Sequence, residues 1–212
     1  MKNYKKIAVL GGGGRTGHFL VRQLIEKGYS LKLLLRHPES FTIQHPSIEI
    51  IKGDALDPAS IRLLLSGCDA VISTIGQRKD EPLMACRASV NVLKAMEEEG
   101  INRYILLAGV NVDTPFDKKG PETLAATEWM KTTFPLIHED RQKSYAVLSE
   151  STADWTLVRV PVIEFTDDRP EIIVDLEDCK GAKISATNIA AFMIGQLNDP
   201  AYVRRSPFIA NV

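Results

Sequence analysis

Apolar residues follow two alternating rhythms along the chain. Short runs at Ile7–Leu10, Leu31–Leu35, Ile48–Ile51, Ala70–Thr74, Tyr104–Ala108 and Trp155–Arg159 have the length and aliphatic content of strands buried on both faces. Amphipathic stretches separate them. Over Gly17–Lys27, Leu20, Val21, Leu24 and Ile25 share one helical stripe, and Gly28 follows as a stop. Pro58–Ser66 predicts a short helix with Asp57 as its cap. Pro82–Glu99 predicts a long one, carrying Leu83, Val90 and Leu93 inward and closed by Gly100. Further helices are expected over Glu122–Thr132, Glu139–Ser151 and Thr187–Leu197. Ile172–Leu176 reads as another strand, and Phe208–Val212 as a last strand at the sheet edge. Pro115 and Pro121 break the stretch between them into a less regular segment, and Asp167–Pro170 is a loop. Strands alternating with helices predict an α/β fold with a doubly wound parallel sheet.

The most informative departure from these rhythms is Gly11-Gly12-Gly13-Gly14-Arg15-Thr16-Gly17, set between a buried strand and a helix. Its spacing is G-x-x-G-x-x-G. Gly11 permits a tight turn, Gly14 a close approach to a pyrophosphate, and Gly17 close packing of helix on sheet. Free N–H groups of the first helical turn and the helix dipole then attract phosphates. This makes the loop, including Gly13, Arg15 and Thr16, a dinucleotide site. No Gly-Lys-Ser/Thr follows, so a P-loop is excluded. Arg36 ends the second strand, where an NAD-binding domain usually carries an acid for the ribose hydroxyls. A guanidinium there pairs with a 2′-phosphate, and Arg15 can approach the same group, so the expected cofactor is NADP(H). Asp54 and Ala55 follow the third strand, as acceptor from the adenine amino group and as room for the ring. Thr74, Ile75 and Gly76 follow the fourth. All lie at carboxyl ends of strands, where open α/β sheets bind ligands.

Composition adds mainly exclusions. The chain has 212 residues, a size that fits one domain, about 1–160 as the cofactor-binding core and about 161–212 as a small substrate-side region. Its net charge of −1 does not point to nucleic acid or an anionic membrane as a partner. Three widely spaced cysteines, Cys68, Cys86 and Cys179, form neither a disulfide framework nor a zinc motif. The basic Met1–Lys6 start is followed by only four apolar residues, too few for a signal peptide, so a cytoplasmic location is expected. Asp167-Asp168-Arg169 reads as a charged turn, and no metal is expected.

The glycine loop, Arg36, Gly53-Asp54-Ala55, Thr74-Ile75-Gly76, the run Asp154–Pro161 (D-W-T-L-V-R-V-P) and Lys183–Ala190 together resemble the atypical short-chain dehydrogenase/reductase superfamily, of NmrA-like and flavin/biliverdin-reductase-like type. The resemblance implies a Rossmann-like sheet and bound NADP(H), with Val160 and Pro161 near the nicotinamide. It also implies a Tyr-x-x-x-Lys pair for proton transfer, and here the sequence departs. None of the five tyrosines is followed by lysine four residues on. Leu107-Ala108-Gly109 also lacks the serine that many relatives carry at the end of the fifth strand. Lys143 and Tyr145 are the nearest catalytic candidates, with Arg141 as an alternative to Lys143 and His138 as a second possible donor. Glu139 and Lys143, at i and i+4, equally suit a surface ion pair. Conjugated acceptors take hydride with a proton from solvent, so these losses are tolerable for an NADPH-dependent reductase of a flavin, quinone or similar small molecule. The alternative is a non-catalytic NADP(H)-sensing regulator with a protein partner, for which the irregular Asn111–Pro121 stretch would be the segment that orders.

Overall fold

The central strands are buried along nearly their whole length, and successive side chains alternate between two faces, which sorts them into two cores. In the computed structural model, which describes residues 4–77 and 83–212, β1 (Lys6–Leu10) sends Ile7 and Val9 to one face and Ala8 and Leu10 to the other. On the first face lie α1 (Arg15–Glu26) and the late helix Ala186–Gly195. On the second lie the helices of the middle of the chain. β2 (Ser30–Leu35) follows the same rule: Leu31, Leu33 and Leu35 join the first core and Leu34 the second. Lys32 shares the face of Leu34. Its ammonium is kept polar by donating to the carbonyls of Leu63 and Ser66 at 2.8 and 3.0 Å, at the end of the next helix.

The chain continues through β3 (Ile48–Lys52), α2 (Pro58–Leu65), β4 (Ala70–Ser73), α3 (Ala85–Glu99), β5 (Arg103–Gly109), α4 (Pro121–Thr133), α5 (Pro135–Glu150) and β6 (Asp154–Val160). It ends with β7 (Val162–Glu164), β8 (Ile172–Asp175), β9 (Lys183–Ser185), α6 (Ala186–Gly195) and β10 (Phe208–Asn211). The main sheet has the order β3-β2-β1-β4-β5-β6-β10-β8. All of its pairings are parallel except β10 with β8, so the expected α/β doubly wound sheet holds, with one antiparallel strand. β10 is interior rather than the edge strand expected, because β8 folds back alongside it. β7 and β9, which the apolar pattern left unmarked, form a separate two-stranded parallel ribbon. Three-residue strands carry too little periodicity to be seen in sequence. Beyond residue 160, β7 and β9 stand off the main sheet, while β8 forms its edge. β10 completes the sheet, and α6 buries Ile189, Ala190, Met193 and Ile194 in the first core.

Helix termini obey local and distant rules. Asp57 caps α2 by accepting from the N–H groups of Ala59 and Ser60, as expected. Gly100 ends α3 in the left-handed region at φ 68°. The start of α3 differs from expectation: the helix begins at Ala85, Pro82 lies outside the described residues, and no neighbour in sequence caps it. Asp140, on α5, does so instead, accepting from the backbone N–H of Ala85 at 2.6 Å and Cys86 at 3.2 Å. The inward face is also different. Leu83 and Val90 are 48% and 45% exposed, while Ala85, Ala88, Ser89, Val92, Ala95 and Met96 are buried. The small residues let α3 approach α5 until the hydroxyls of Ser89 and Ser144 meet at 2.7 Å. The larger residues stay outside because they would hold the helices apart. Among the described residues no helix is long and apolar enough to cross a membrane.

Because Asp140 is buried and serves two orphan donors, Asp140→Ala is expected to cost about 1–3 kcal/mol in urea denaturation, with α3 amides near its start losing hydrogen-exchange protection first.

Candidate functional site

The strand order reverses direction at β1, whose neighbours are β2 and β4, and this opens a crevice at the strands' carboxyl ends. The glycine loop fills its floor. Gly11 has φ +80°, and a Cβ there would sit 2.8–2.9 Å from backbone atoms of Thr74 and Ile75. Gly14 precedes α1, donating its N–H to the Gly11 carbonyl at 2.9 Å. α1 starts two residues earlier than expected, so Gly17 lies within its first turn, where a Cβ would collide with the Gly11 carbonyl oxygen. No side chain caps this helix and its first turn holds no acid. The N-terminal N–H groups therefore remain available to an anion, and the bare backbone leaves space for a pyrophosphate. The geometry fits the dinucleotide that the motif implies.

A cleft of about 580 Å³ runs over this loop. Gly11, Gly13, Gly14, Arg15 and Thr16 line it, together with Arg36, Ala55, Thr74, Ile75 and Gly76. Gly17 stands behind the wall as packing. Arg36 is exposed at the end of β2, and Arg15 lies 4.2 Å over the Phe165 ring, just beyond β7. Asp54 sits in the turn after β3, between Gly53 and Ala55 of the cleft wall, and its Oδ1 accepts from the Leu56 N–H at 2.8 Å.

Val160 and Pro161 line a second cavity instead, about 530 Å³, at the ends of β5 and β6. Its walls include Val110, Ala126, Trp129, Met130 and Val162, with Asn111, Glu122 and Thr123 supplying polar atoms. β7 borders both spaces, with Val162 lining the second and Ile163 the first.

The stretch between β5 and α4, expected to be irregular, is held by charges. Arg159 on β6 is fully buried and donates to both carboxylate oxygens of Asp117 at 2.7–2.8 Å, to the Val112 carbonyl and to the Ser206 carbonyl. Its guanidinium lies 3.5 Å over the Phe208 ring. Lys119 reaches Asp113 at 2.6 Å and the Thr127 hydroxyl at 3.2 Å. Burial pulls the Lys119 ammonium below its ordinary range, and the hydrogen bond to Asp113 opposes that. Gln142 adds two hydrogen bonds to the backbone of Asp113.

The structure does not bring the two catalytic candidates to the cleft. Lys143 is exposed and pairs with Glu139 at 2.7 Å, a bond that raises its pKa. Tyr145 turns toward the sheet and meets Trp155 edge-on at 6.2 Å. α5 starts at Pro135 rather than Glu139, and two of its other residues contact segments that line the two spaces. Arg141 Nη2 donates to the Ile75 carbonyl at 2.9 Å. The His138 ring nitrogen lies 3.1 Å from the Asn111 amide, beside the second cavity. Burial first, then the Lys131 charge, holds His138 below the usual histidine range. The spacing of His138 and Arg141 at i and i+3 was the available signal, but it identifies a shared face, not which face turns inward.

A family model described as NAD(P)H-binding matches residues 11–200. Cinnamoyl-CoA reductase 1 of Petunia hybrida is 28% identical over 141 residues, covering 60% of this chain and 42% of its own. The chain spans less than half the length of the curated relatives it matches. Among solved structures, a short-chain dehydrogenase/reductase from Veillonella parvula in complex with NADP is 16% identical at TM-score 0.83, covering 99% of this chain and 95% of that one. An anaerobillin reductase from Escherichia coli is 18% identical at TM-score 0.80, covering 98% and 97%. At these identities the structures speak to the fold.

Two changes test the geometry. Gly17→Ala must displace α1 from the loop, so dinucleotide binding should be lost in a fluorescence titration even where circular dichroism shows a folded chain. Arg159→Met removes the two short bonds to Asp117, leaving it Lys119 at 3.8 Å and the donors of Thr114, and should cost about 3 kcal/mol in thermal or urea unfolding.

Proposed function

The chain belongs to the NAD(P)H-binding family, within the atypical short-chain dehydrogenase/reductase superfamily, and on that premise we propose that it is an NADPH-dependent reductase of a flavin, quinone or similar conjugated acceptor. The observation that carries this reading is the apolar cavity beside β7, with Val162 in its wall next to Ile163 of the cofactor cleft. A conjugated ring entering between Trp129, Met130 and Pro161 would lie against the ends of β5 and β6, beside the cleft.

Bound NADPH would supply the hydride that the acceptor takes up. The chain's own contribution is binding and orientation. The first turn of α1 holds the pyrophosphate, and Arg36, aided by Arg15, reads the 2′-phosphate. Arg141 steadies the Ile75 carbonyl, and with it the Thr74–Gly76 wall of the cleft. Apolar walls exclude water from the transfer path. Lys143 and Tyr145 are assigned no step, since neither reaches the cleft; the proton comes from solvent at the cavity mouth. A cofactor-sensing role remains the second reading. It needs a segment that orders on binding, and the 111–120 stretch is already tied down by Arg159, Lys119 and Gln142.

The test is NADPH oxidation, followed by absorbance, with a panel of flavins and quinones. Turnover with at least one acceptor, abolished by Gly14→Val, is the expected result; tight NADPH binding with no turnover across the panel would overturn the enzymatic reading. Separately, Arg36→Asp should weaken NADPH by roughly tenfold or more, or about 1.4 kcal/mol, and leave NADH nearly unchanged. Equal losses for both would remove Arg36 from the 2′-phosphate.

A further inference from the structure

We infer that the cavity beside β7 accepts uncharged acceptors and that Glu122 turns anionic ones away. The inference rests on the reductase reading above and narrows its acceptor to molecules without phosphate, carboxylate or sulfonate groups.

Glu122 is the one charged residue among the described residues that line this cavity. It is exposed in the first turn of α4, so its carboxylate stands at the mouth rather than behind the wall. An acid at this position often serves the helix dipole, but here another acid does so. Asp178 sits against Gly120 at the start of α4 and accepts from the Thr123 hydroxyl at 2.7 Å. The lysines around the cavity are committed elsewhere: Lys118 to Glu177 at 2.7 Å, Lys119 to Asp113 at 2.6 Å, Lys131 to Asp113 at 3.6 Å and Lys180 to Asp178 at 3.0 Å. An anionic acceptor would therefore meet a carboxylate at the rim and have its charge desolvated along Trp129, Met130 and Val162. An uncharged ring loses nothing at the rim and gains the apolar walls. The chemistry of such an acceptor balances without an acid from the protein. A quinone gains two electrons and two protons, one proton arriving in the hydride and one from solvent, as NADPH becomes NADP⁺.

The experiment compares menadione with a naphthoquinone sulfonate on the full chain at low ionic strength. Binding is read from quenching of Trp129 fluorescence, with Trp129→Phe as the control that assigns the signal, and turnover from NADPH oxidation. Menadione should bind roughly tenfold tighter than the sulfonate. Glu122→Lys should erase or reverse that ratio, and added salt should shrink it, while menadione binding shifts by less than about twofold. A sulfonate that binds as well as menadione, or a ratio unmoved by Glu122→Lys, overturns the role of Glu122 and leaves the reductase reading standing if either quinone oxidises NADPH. If neither quinone quenches Trp129 nor oxidises NADPH, the acceptor cavity itself falls, and this inference with it.

Discussion

The backbone contact between the turn after β1 and the end of β4 sets the rest of the molecule. Gly11 lies against Thr74 and Ile75 so closely that no side chain fits between them, and the start of α1 is pressed onto the Gly11 carbonyl at Gly17. That contact places an uncapped helix N-terminus over the reversal in strand order. Everything in the cleft follows from it: bare amides on one side, the ends of β2, β3 and β4 on the other, and a length suited to a dinucleotide. The glycines serve two different ends. At Gly11 the backbone conformation itself demands glycine, whereas at Gly17 the demand is steric and comes from a neighbouring carbonyl.

A second constraint shapes the other half of the site. The walls of the apolar cavity join a small hydrophobic cluster, Val110, Cys179, Phe208 and Ala210 with Ala126 against it. α4 buries only Thr123 and Thr127 among its described side chains. What holds this region is polar: Arg159 anchors the loop before α4 to β6, and Lys119 and Gln142 join it to α4 and α5. Burying charges in this way is costly unless every donor is satisfied, and the Arg159 fork is satisfied on both sides. The arrangement fixes where the loop sits without filling the cavity with apolar side chains, so the space beside the cofactor cleft stays open. β7, lying across both spaces, lets one short strand contribute a residue to each.

The positions of strands and helices followed from sequence because their signals are local. Runs of buried aliphatics, the glycine loop, Asp57 as a cap and Gly100 as a stop each act within a few residues. The dinucleotide loop was legible for the same reason: a strand, a glycine turn and a helix are consecutive. By contrast, the inward face of α3 was misread, since Leu83 and Val90 looked like core residues until α5 packed against the small side chains beside them. The cap of α3 came from Asp140, 55 residues from Ala85, which no local pattern can reveal.

By itself, then, the sequence determined an α/β fold with a dinucleotide loop, an arginine at the end of the second strand and no Tyr-x-x-x-Lys pair. Tertiary structure alone decided that Lys143 faces solvent and Tyr145 the sheet, and that Arg141 and His138 reach the Ile75 carbonyl and the Asn111 amide. It also decided that Glu122 and Trp129 border a cavity. The physical reason is that a motif encodes the shape of its own backbone, whereas the rotation of a helix and the walls of a cavity are set by whatever packs against them from elsewhere in the chain.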